Sequence, residues 1–392
     1  MKIIHSIPYF VPAWDYGGPL RSCYHISKEL ARKGHDVSVY TTDSLNGHER
    51  ITQLYEIIDG IKVKRFKNIN NTLSYRYNIS TPIGLVRCPN DFSDSDIVHM
   101  HEYRTLQNIL IRRHAKNNNV PYILQARGSL TTFFHKNLLK KTFDRLWGYK
   151  ILQDAARVIA LTTSEAEECK IMGVPDDKIE IVPNGIELGE FEHLPPKGQF
   201  RSRYALDESI KIILYLGRIH QIKGLDLLVK AFTRSIKEMD RVKLVITGPD
   251  DGFLGVLEKL VRELAIEEKV LLTGPLHGEE RLTAYVDADV YILPSFYEAF
   301  GLTVLEAMAC GKPVIITDRC GLADVVNNET GLVVPYDEEP LSQALIKLLS
   351  DEHLRQEFGA RGKLLVREKF NWERITEQLE RIYEQVLRGN NL

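Results

Sequence analysis

The stretch "VYILPSFYEAFGLTVLEAMACG", residues 290–311, decides how the chain is read. Four apolar residues, a proline-led loop and an apolar helical pattern closed by Gly311 predict strand 290–294, loop 295–300 and helix 301–309. A strand with no polar alternation, feeding straight into a helix, belongs to a parallel sheet covered on both faces. Two glutamates, Glu298 and Glu306, stand in this apolar segment. Burying a carboxylate is costly unless it is partnered, so both are expected to grip a ligand.

The pattern repeats along the 392 residues. "KIIHSI", "HDVSVYT", "DIVHM", "PYILQ", "RVIAL" and "IEIVP" alternate with helical segments, and "YEIIDGIKVKRF" carries the hairpin signal Asp59-Gly60. The series restarts after the polar, proline-containing segment near 188–205, with "KIILYLG", "VKLVITG", "KVLLTG", "DVYILPS", "PVIITD" and "GLVVP". The expectation is α/β: two doubly wound, Rossmann-like domains, 1–190 and 191–370, facing each other across a deep cleft. The last helix, 371–392, places Ile375, Leu379, Ile382 and Val386 on one stripe and is expected to dock back on the first domain.

Composition narrows the function. Hydrophobic residues at 44% with 27% charged suit a water-soluble globular chain, and no window reaches the roughly 20 apolar residues that span a bilayer. "MKIIHSIPYF" reads as a first strand rather than a signal peptide. Five scattered cysteines without a CxxC pair, Cys88 among them, fit reduced thiols in the cytoplasm. Net charge is −2, but residues 61–150 hold 16 Lys and Arg against 5 Asp and Glu. That local field suits anionic partners or an anionic membrane surface, or else is a solvated face. Near-neutral overall charge without a reader motif argues against nucleic acid, and no G-x-G-x-x-G opens a first helix.

Function on such sheets sits at the carboxyl ends of strands, where helix amino termini bind anions. At the start of helix 301–309 the amides of Gly301, Leu302 and Thr303 would face a phosphate. Glu306, one turn on, reaches back toward the same end and suits hydroxyls, which donate to carboxylates. In "YLGRIHQIKGLDLL", Arg218 and Lys223 follow a strand and could neutralise a leaving diphosphate. Taken singly, each is more ordinarily a surface residue near a helix start; their joint placement at strand ends is what points to a site.

Together "EAFGLTVLEAMACGKPVI", with its E-x7-E spacing, "GRIHQIKGLDLLVKAF" and "IVPNGIE" resemble the signature elements of retaining glycosyltransferases of family 4 (glycosyl transferases group 1), which have the GT-B fold. The resemblance runs over essentially the whole chain. It implies transfer of a hexose from a UDP- or GDP-sugar to a glycan, lipid-linked or small-molecule acceptor, without metal or other cofactor. By that likeness Arg218 and Lys223 hold the diphosphate, Glu298 meets donor-sugar hydroxyls with the Gly301, Leu302 and Thr303 amides nearby, and Glu306 binds the ribose. Pro275 and Leu276 would pack near the base. Gly17, Gly18 and Arg21 of "PAWDYGGPLRS" match the family's GG-x-x-R element, the glycines near the diphosphate and Arg21 on the acceptor side or simply structural. "DIVHMH" resembles D-x-V-H-x-H, which implies a donor-sugar contact for His101 and a structural role for His99. Arg127, in "LQARGS", is the acceptor-side candidate.

Lys136, Lys140, Lys141 and Arg145, mixed with Phe133, Phe134, Phe143 and Trp147, suggest either a peripheral membrane face or an amphipathic helix packed on the domain. Asp94-Ser95-Asp96 and Asp287-Ala288-Asp289 match the metal-binding D-x-D pattern, but both precede a strand and are expected to be structural. The His99–His101 spacing has no further metal-ligand cluster visible around it. Other readings within the fold are a nucleotide-sugar epimerase or a phosphorylase; from another class, a non-catalytic sugar-nucleotide-binding protein.

Overall fold

The computed structural model describes the chain apart from residues 73, 75–79, 88–91, 131–136 and 390–392, and apart from the side chains of Asp15, Arg87 and Asn137. Cys88, Phe133, Phe134 and Lys136 therefore lie outside the described residues. Two compact units form, one from 1–185 with 372–392, the other from 186–371. The change of unit falls at Gly185/Ile186 rather than at 190/191 because Ile186 already pairs with Asn371 and donates its amide to Phe370 O at 2.8 Å.

In the first unit the order is β1 (Lys2–Ser6), α1 (Gly18–Arg32), β2 (Asp36–Thr42), β3 (Tyr55–Ile58), β4 (Ile61–Phe66), β5 (Ile97–His101), α2 (Leu106–Asn117) and β6 (Tyr122–Gln125). Then come α3 (Asn137–Phe143), a π-helical turn (Asp144–Gly148), α4 (Tyr149–Asp154), β7 (Arg157–Ala160), α5 (Thr163–Ile171) and β8 (Ile179–Ile181). The sheet order is β3-β4-β2-β1-β5-β6-β7-β8, parallel except for the β3–β4 hairpin. Asp59 and Gly60 turn that hairpin at φ 48° and 81°, the positive-φ pair that a two-residue turn matched to strand twist demands.

In the second unit, α6 (Gln199–Arg203) leads into β9 (Lys211–Leu216), α7 (Leu225–Ser235), β10 (Val242–Thr247), α8 (Leu254–Glu263), β11 (Val270–Gly274) and α9 (Gly278–Asp287). Next are β12 (Val290–Leu293), α10 (Leu302–Ala309), β13 (Val314–Thr317), α11 (Ala323–Val326), β14 (Gly331–Val334), α12 (Glu338–Ser350) and α13 (Glu352–Lys369). The sheet is wholly parallel in the order β11-β10-β9-β12-β13-β14. Chain order reverses direction between β9 and β12 here, and between β1 and β5 in the first unit. At such a reversal adjacent crossovers leave on opposite faces and open a crevice at the carboxyl ends.

The final helix, α14 (Trp372–Gly389), packs on the first unit. Ile375, Leu379, Ile382, Tyr383 and Val386 are buried in one cluster with Leu20, Cys23, Ile26 and Leu30 of α1. Glu380 pins the register, accepting from Lys33 Nζ and facing His35 Nε2, each at 2.7 Å. A wholly apolar stripe closing a sheet face that would otherwise meet water makes this helix integral to the fold. Leu379→Ala should cost about 2–5 kcal/mol, read as a lowered denaturant midpoint at unchanged slope.

Candidate active site

The loop after β12 and the turn before α7 meet at the reversal point of the second sheet. Phe296 N donates to Ile222 O at 2.8 Å, which ties one to the other. His220 caps the 3-10 turn Gln221–Lys223 by accepting from Ile222 N at 3.1 Å. Gly224 follows in the left-handed region at φ 66°, where a Cβ would meet Pro294 O at 2.1 Å. Only glycine permits that approach, and the approach sets Lys223 against Glu298. Their side chains form an ion pair, 14% and 18% exposed. Glu298 is held at its backbone as well, its N donating to Arg319 O at 3.1 Å and its O accepting from Gly321 N at 2.8 Å.

Gly301, at φ 95°, caps α10 with no side-chain hydrogen bond. A Cβ there would crowd Cys320 Sγ, Leu293 and Val304 at 3.3 Å. The first amides of α10 are thus left without a side-chain cap, beside Glu298. Thr303 Oγ1 is bonded to Tyr291 OH at 2.6 Å.

Glu306 is held by two groups that the sequence reading did not name. Arg281 Nη1 donates to its Oε1 at 2.5 Å and Tyr285 OH to its Oε2 at 2.9 Å. Arg281 also reaches Glu190 Oε2 at 2.6 Å. Each Glu306 oxygen keeps acceptor capacity for a hydroxyl. Arg218 is 62% exposed and turns to Asp251 Oδ2 at 2.5 Å, away from Glu298. Pro275 is exposed and Leu276 half-buried, just beyond β11, so Leu276 is not a core residue.

In the first unit, Gly17 (φ 86°) and Gly18 open α1, again without a side-chain cap. Arg21 is exposed and lies 5.7 Å over the Trp14 ring. His101 ends β5. It is wholly buried, and both ring nitrogens are engaged: Arg127 Nε donates to Nδ1 at 3.1 Å, and Nε2 lies 2.9 Å from His5 Nδ1. Because a guanidinium only donates, the proton sits on His101 Nε2 and is donated to His5. Arg127, expected on the acceptor side, is 9% exposed; its Nε donates to His101 and its Nη1 to Asn184 Oδ1 at 2.8 Å, while Nη2 is buried without a partner. His99 Nδ1 lies 2.6 Å from Tyr383 OH of α14, in keeping with a structural role.

The three imidazoles His5, His99 and His101 bring ligand atoms within 4.8 Å of one another, a cluster hidden from the sequence because His5 lies on another strand. The adjacent Arg127 guanidinium and the saturated His101 make it a poor cation site. Desolvation keeps all three neutral, driving His5 down to about 3 and His99 and His101 well below the usual imidazole range. Burial also brings the Arg127 guanidinium down to about 10, which leaves it protonated at neutral pH.

The more exposed group at the end of β5 is Glu102, a non-glycine residue at φ 64°, and Arg127 at the end of β6 has φ 55°. Such conformations persist where the surroundings hold them. Glu102 N donates to Gln125 O at 2.9 Å, and Gly128 N to the buried Glu165 carboxylate at 2.5 Å. Both D-x-D pairs make local contacts: Asp94 and Asp96 bind Lys2, while Asp287 and Asp289 accept from the amides of Gly198, Arg201 and Ile212.

The Glycosyl transferases group 1 model matches residues 196–384 and the Glycosyltransferase Family 4 model residues 16–190. An uncharacterized glycosyltransferase of Methanocaldococcus jannaschii is 28% identical over 391 residues, 95% of this chain and 96% of that one. A D-inositol 3-phosphate glycosyltransferase of Kineococcus radiotolerans is 26% identical, over 98% and 94%. The solved structure of Anabaena HepE in complex with UDP and glucose superposes with a TM-score of 0.78 at 16% identity, over 98% of this chain and all of that one. The chain belongs to the family 4 glycosyltransferases and has the GT-B fold.

A folded pKa below the unfolded one means that the unfolded chain binds the proton first. The stability that neutral His5 carries is therefore complete above about pH 6.5 and lost as pH falls through the window toward 3. It adds about 1.4 kcal/mol per pH unit to the acid limb within that window. His5→Gln should flatten the limb when stability is measured by denaturant titration from pH 7 to 4; an unchanged slope would mean that His5 is not held neutral.

Proposed function

We propose that the chain is a retaining hexosyltransferase that moves a hexose from a UDP- or GDP-sugar to a hydroxyl of a glycan, lipid-linked or small-molecule acceptor. The observation that carries the reading is the half-buried Lys223–Glu298 pair set beside the side-chain-free amino end of α10 at the reversal point of the second sheet. A fixed cation and free amides suit a diphosphate, and a carboxylate beside them suits sugar hydroxyls. Lys223 carries three donors, so it can keep Glu298 and meet a phosphate oxygen as well. Arg218 joins by leaving Asp251; that pair is exposed, and such pairs are worth little. Glu306 takes the ribose hydroxyls while Arg281 and Tyr285 hold it in place. Pro275 and Leu276 lie along the base, mostly through backbone.

Charge developing on the leaving diphosphate is met by Lys223, Arg218 and the Leu302 and Thr303 amides, which makes a metal unnecessary. With His101 saturated, the proton of the attacking hydroxyl goes to a leaving phosphate oxygen on the same face, which retains the anomeric configuration. A UDP-sugar is the first donor to try, since the HepE structure contains UDP and glucose. The inositol phosphate relative favours a small or phosphorylated acceptor, the basic face of residues 61–150 a glycoconjugate one. Cys23, Cys169, Cys310 and Cys320 are buried and unpaired, as suits the reducing cytoplasm.

Lys223→Ala should lower kcat by about 10²–10³-fold and, because it strands the half-buried Glu298 carboxylate, also lower the Tm without ligand. Glu298→Gln should lower transfer comparably and weaken the thermal shift caused by a nucleotide sugar more than the shift caused by the free nucleotide. Rates that match the parent in both variants would remove these assignments. A chelator should leave the initial rate unchanged, and full loss with EDTA would overturn the metal-free mechanism.

A further inference from the structure

Residues 137–150 cross the outside of the first unit with their apolar side chains turned the wrong way for a packed helix. Leu138 is 80% exposed, Leu139 66%, Leu146 50%, Tyr149 44% and Trp147 40%. Lys141, Arg145 and Lys150 are exposed among them. Large apolar residues that recur along one outward face, interleaved with cations, differ from the scattered singletons of an ordinary surface.

The exposure does not come from a loosely held segment. Asp144 is buried and takes both Arg104 Nε and Nη2, at 2.9 and 2.8 Å. Gly148 lets the helix lie against Tyr103, whose hydroxyl a Cβ would meet at 2.2 Å. Ile151 and Leu152 are buried in the core below, and Phe143 packs edge-on to Tyr103 at 6.1 Å. The π-helical turn Asp144–Gly148 contains the exposed Leu146 and Trp147, and the exposed Leu138, Leu139 and Tyr149 flank it. The inner face is therefore complete without the residues that face water.

We propose that this outward face seats the protein on an anionic lipid bilayer. Charge selects the occupant. Asp144 is the sole carboxylate between 137 and 153, and it is consumed by Arg104, so the exposed face carries Lys141, Arg145 and Lys150 uncompensated. The chain as a whole is −2, so attraction to an anionic surface has to be local. Leucines enter the acyl boundary, Trp147 and Tyr149 match the headgroup level, and the long cations reach lipid phosphates with their stems against the apolar layer. Among the described residues no helix is long and apolar enough to cross a membrane, so contact of this kind is lateral and reversible. The inference rests on this surface alone and stands apart from the donor site.

Co-sedimentation of the full chain with phosphatidylglycerol-containing vesicles, against pure phosphatidylcholine vesicles, tests it. The parent should pellet with the anionic vesicles at low salt, stay in solution with the neutral ones, and be released by high salt. Leu138→Ser/Leu139→Ser and Lys141→Glu/Arg145→Glu should each weaken partitioning by about tenfold or more; a Tm within a degree or so of the parent's would show that the fold is intact. Two results would overturn the proposal: a parent that remains in solution with anionic vesicles at low salt, or self-association that the leucine double variant abolishes, which would make the face a contact between copies of this chain.

Discussion

A carboxylate withdrawn from water has to be given a partner, and around the amino end of α10 each one receives a cation. Glu298 has Lys223; Glu306 has Arg281 and Tyr285. Removing one member of such a pair would leave a half-buried charge alone, which costs more than the pair itself contributes. The backbone is shaped to this requirement. The strand order β9–β12 brings two crossover loops side by side, and Gly224 lets them touch without a Cβ in the way. Gly301 begins a helix whose first amides no side chain caps. What results is a preorganised patch of acid, base and amide at the reversal point of the second sheet.

The first unit answers the same physical demand by the opposite route. Its buried polar groups at the ends of β1, β5 and β6 are kept uncharged, apart from one guanidinium and the buried Glu165. His5, His99 and His101 stay neutral because desolvation disfavours their charged forms and the nearby Arg127 guanidinium repels them further. Tyr383 reaches this cluster from the last helix, so the distant end of the chain helps to hold the strand ends. The network is only partly satisfied, since His5 Nε2, His99 Nε2 and Arg127 Nη2 are buried without a partner. It supports the left-handed turns at Glu102 and Arg127.

Local signals carried much of this. Runs of β-branched and leucine residues set the parallel strands, Asp59-Gly60 set the one hairpin among the described strands, and the strand-loop-helix unit at 290–311 appeared within a residue or two of its reading. Partnership was not legible. His5 and His101 are 96 residues apart and Lys223 and Glu298 are 75 apart, and only the register of the folded sheet states that they meet. Nothing in the spacing of Arg281 or Tyr285 singles them out, since a charged and an aromatic residue four apart on a helix is commonplace. The same blindness to register hid the partners of Arg127 and His101, because a polar residue at a strand end reads alike whether it faces solvent or the neighbouring strand. Burial decides between the two, and burial is a property of the whole fold.

The most direct measurement is a crystal structure of the protein with a hydrolysis-resistant nucleotide sugar. The account predicts the diphosphate against Lys223 and the Leu302 and Thr303 amides, a sugar hydroxyl on Glu298 and the ribose hydroxyls on Glu306. A nucleotide sugar bound clear of Lys223 and Glu298, with their ion pair untouched by it, would contradict the account.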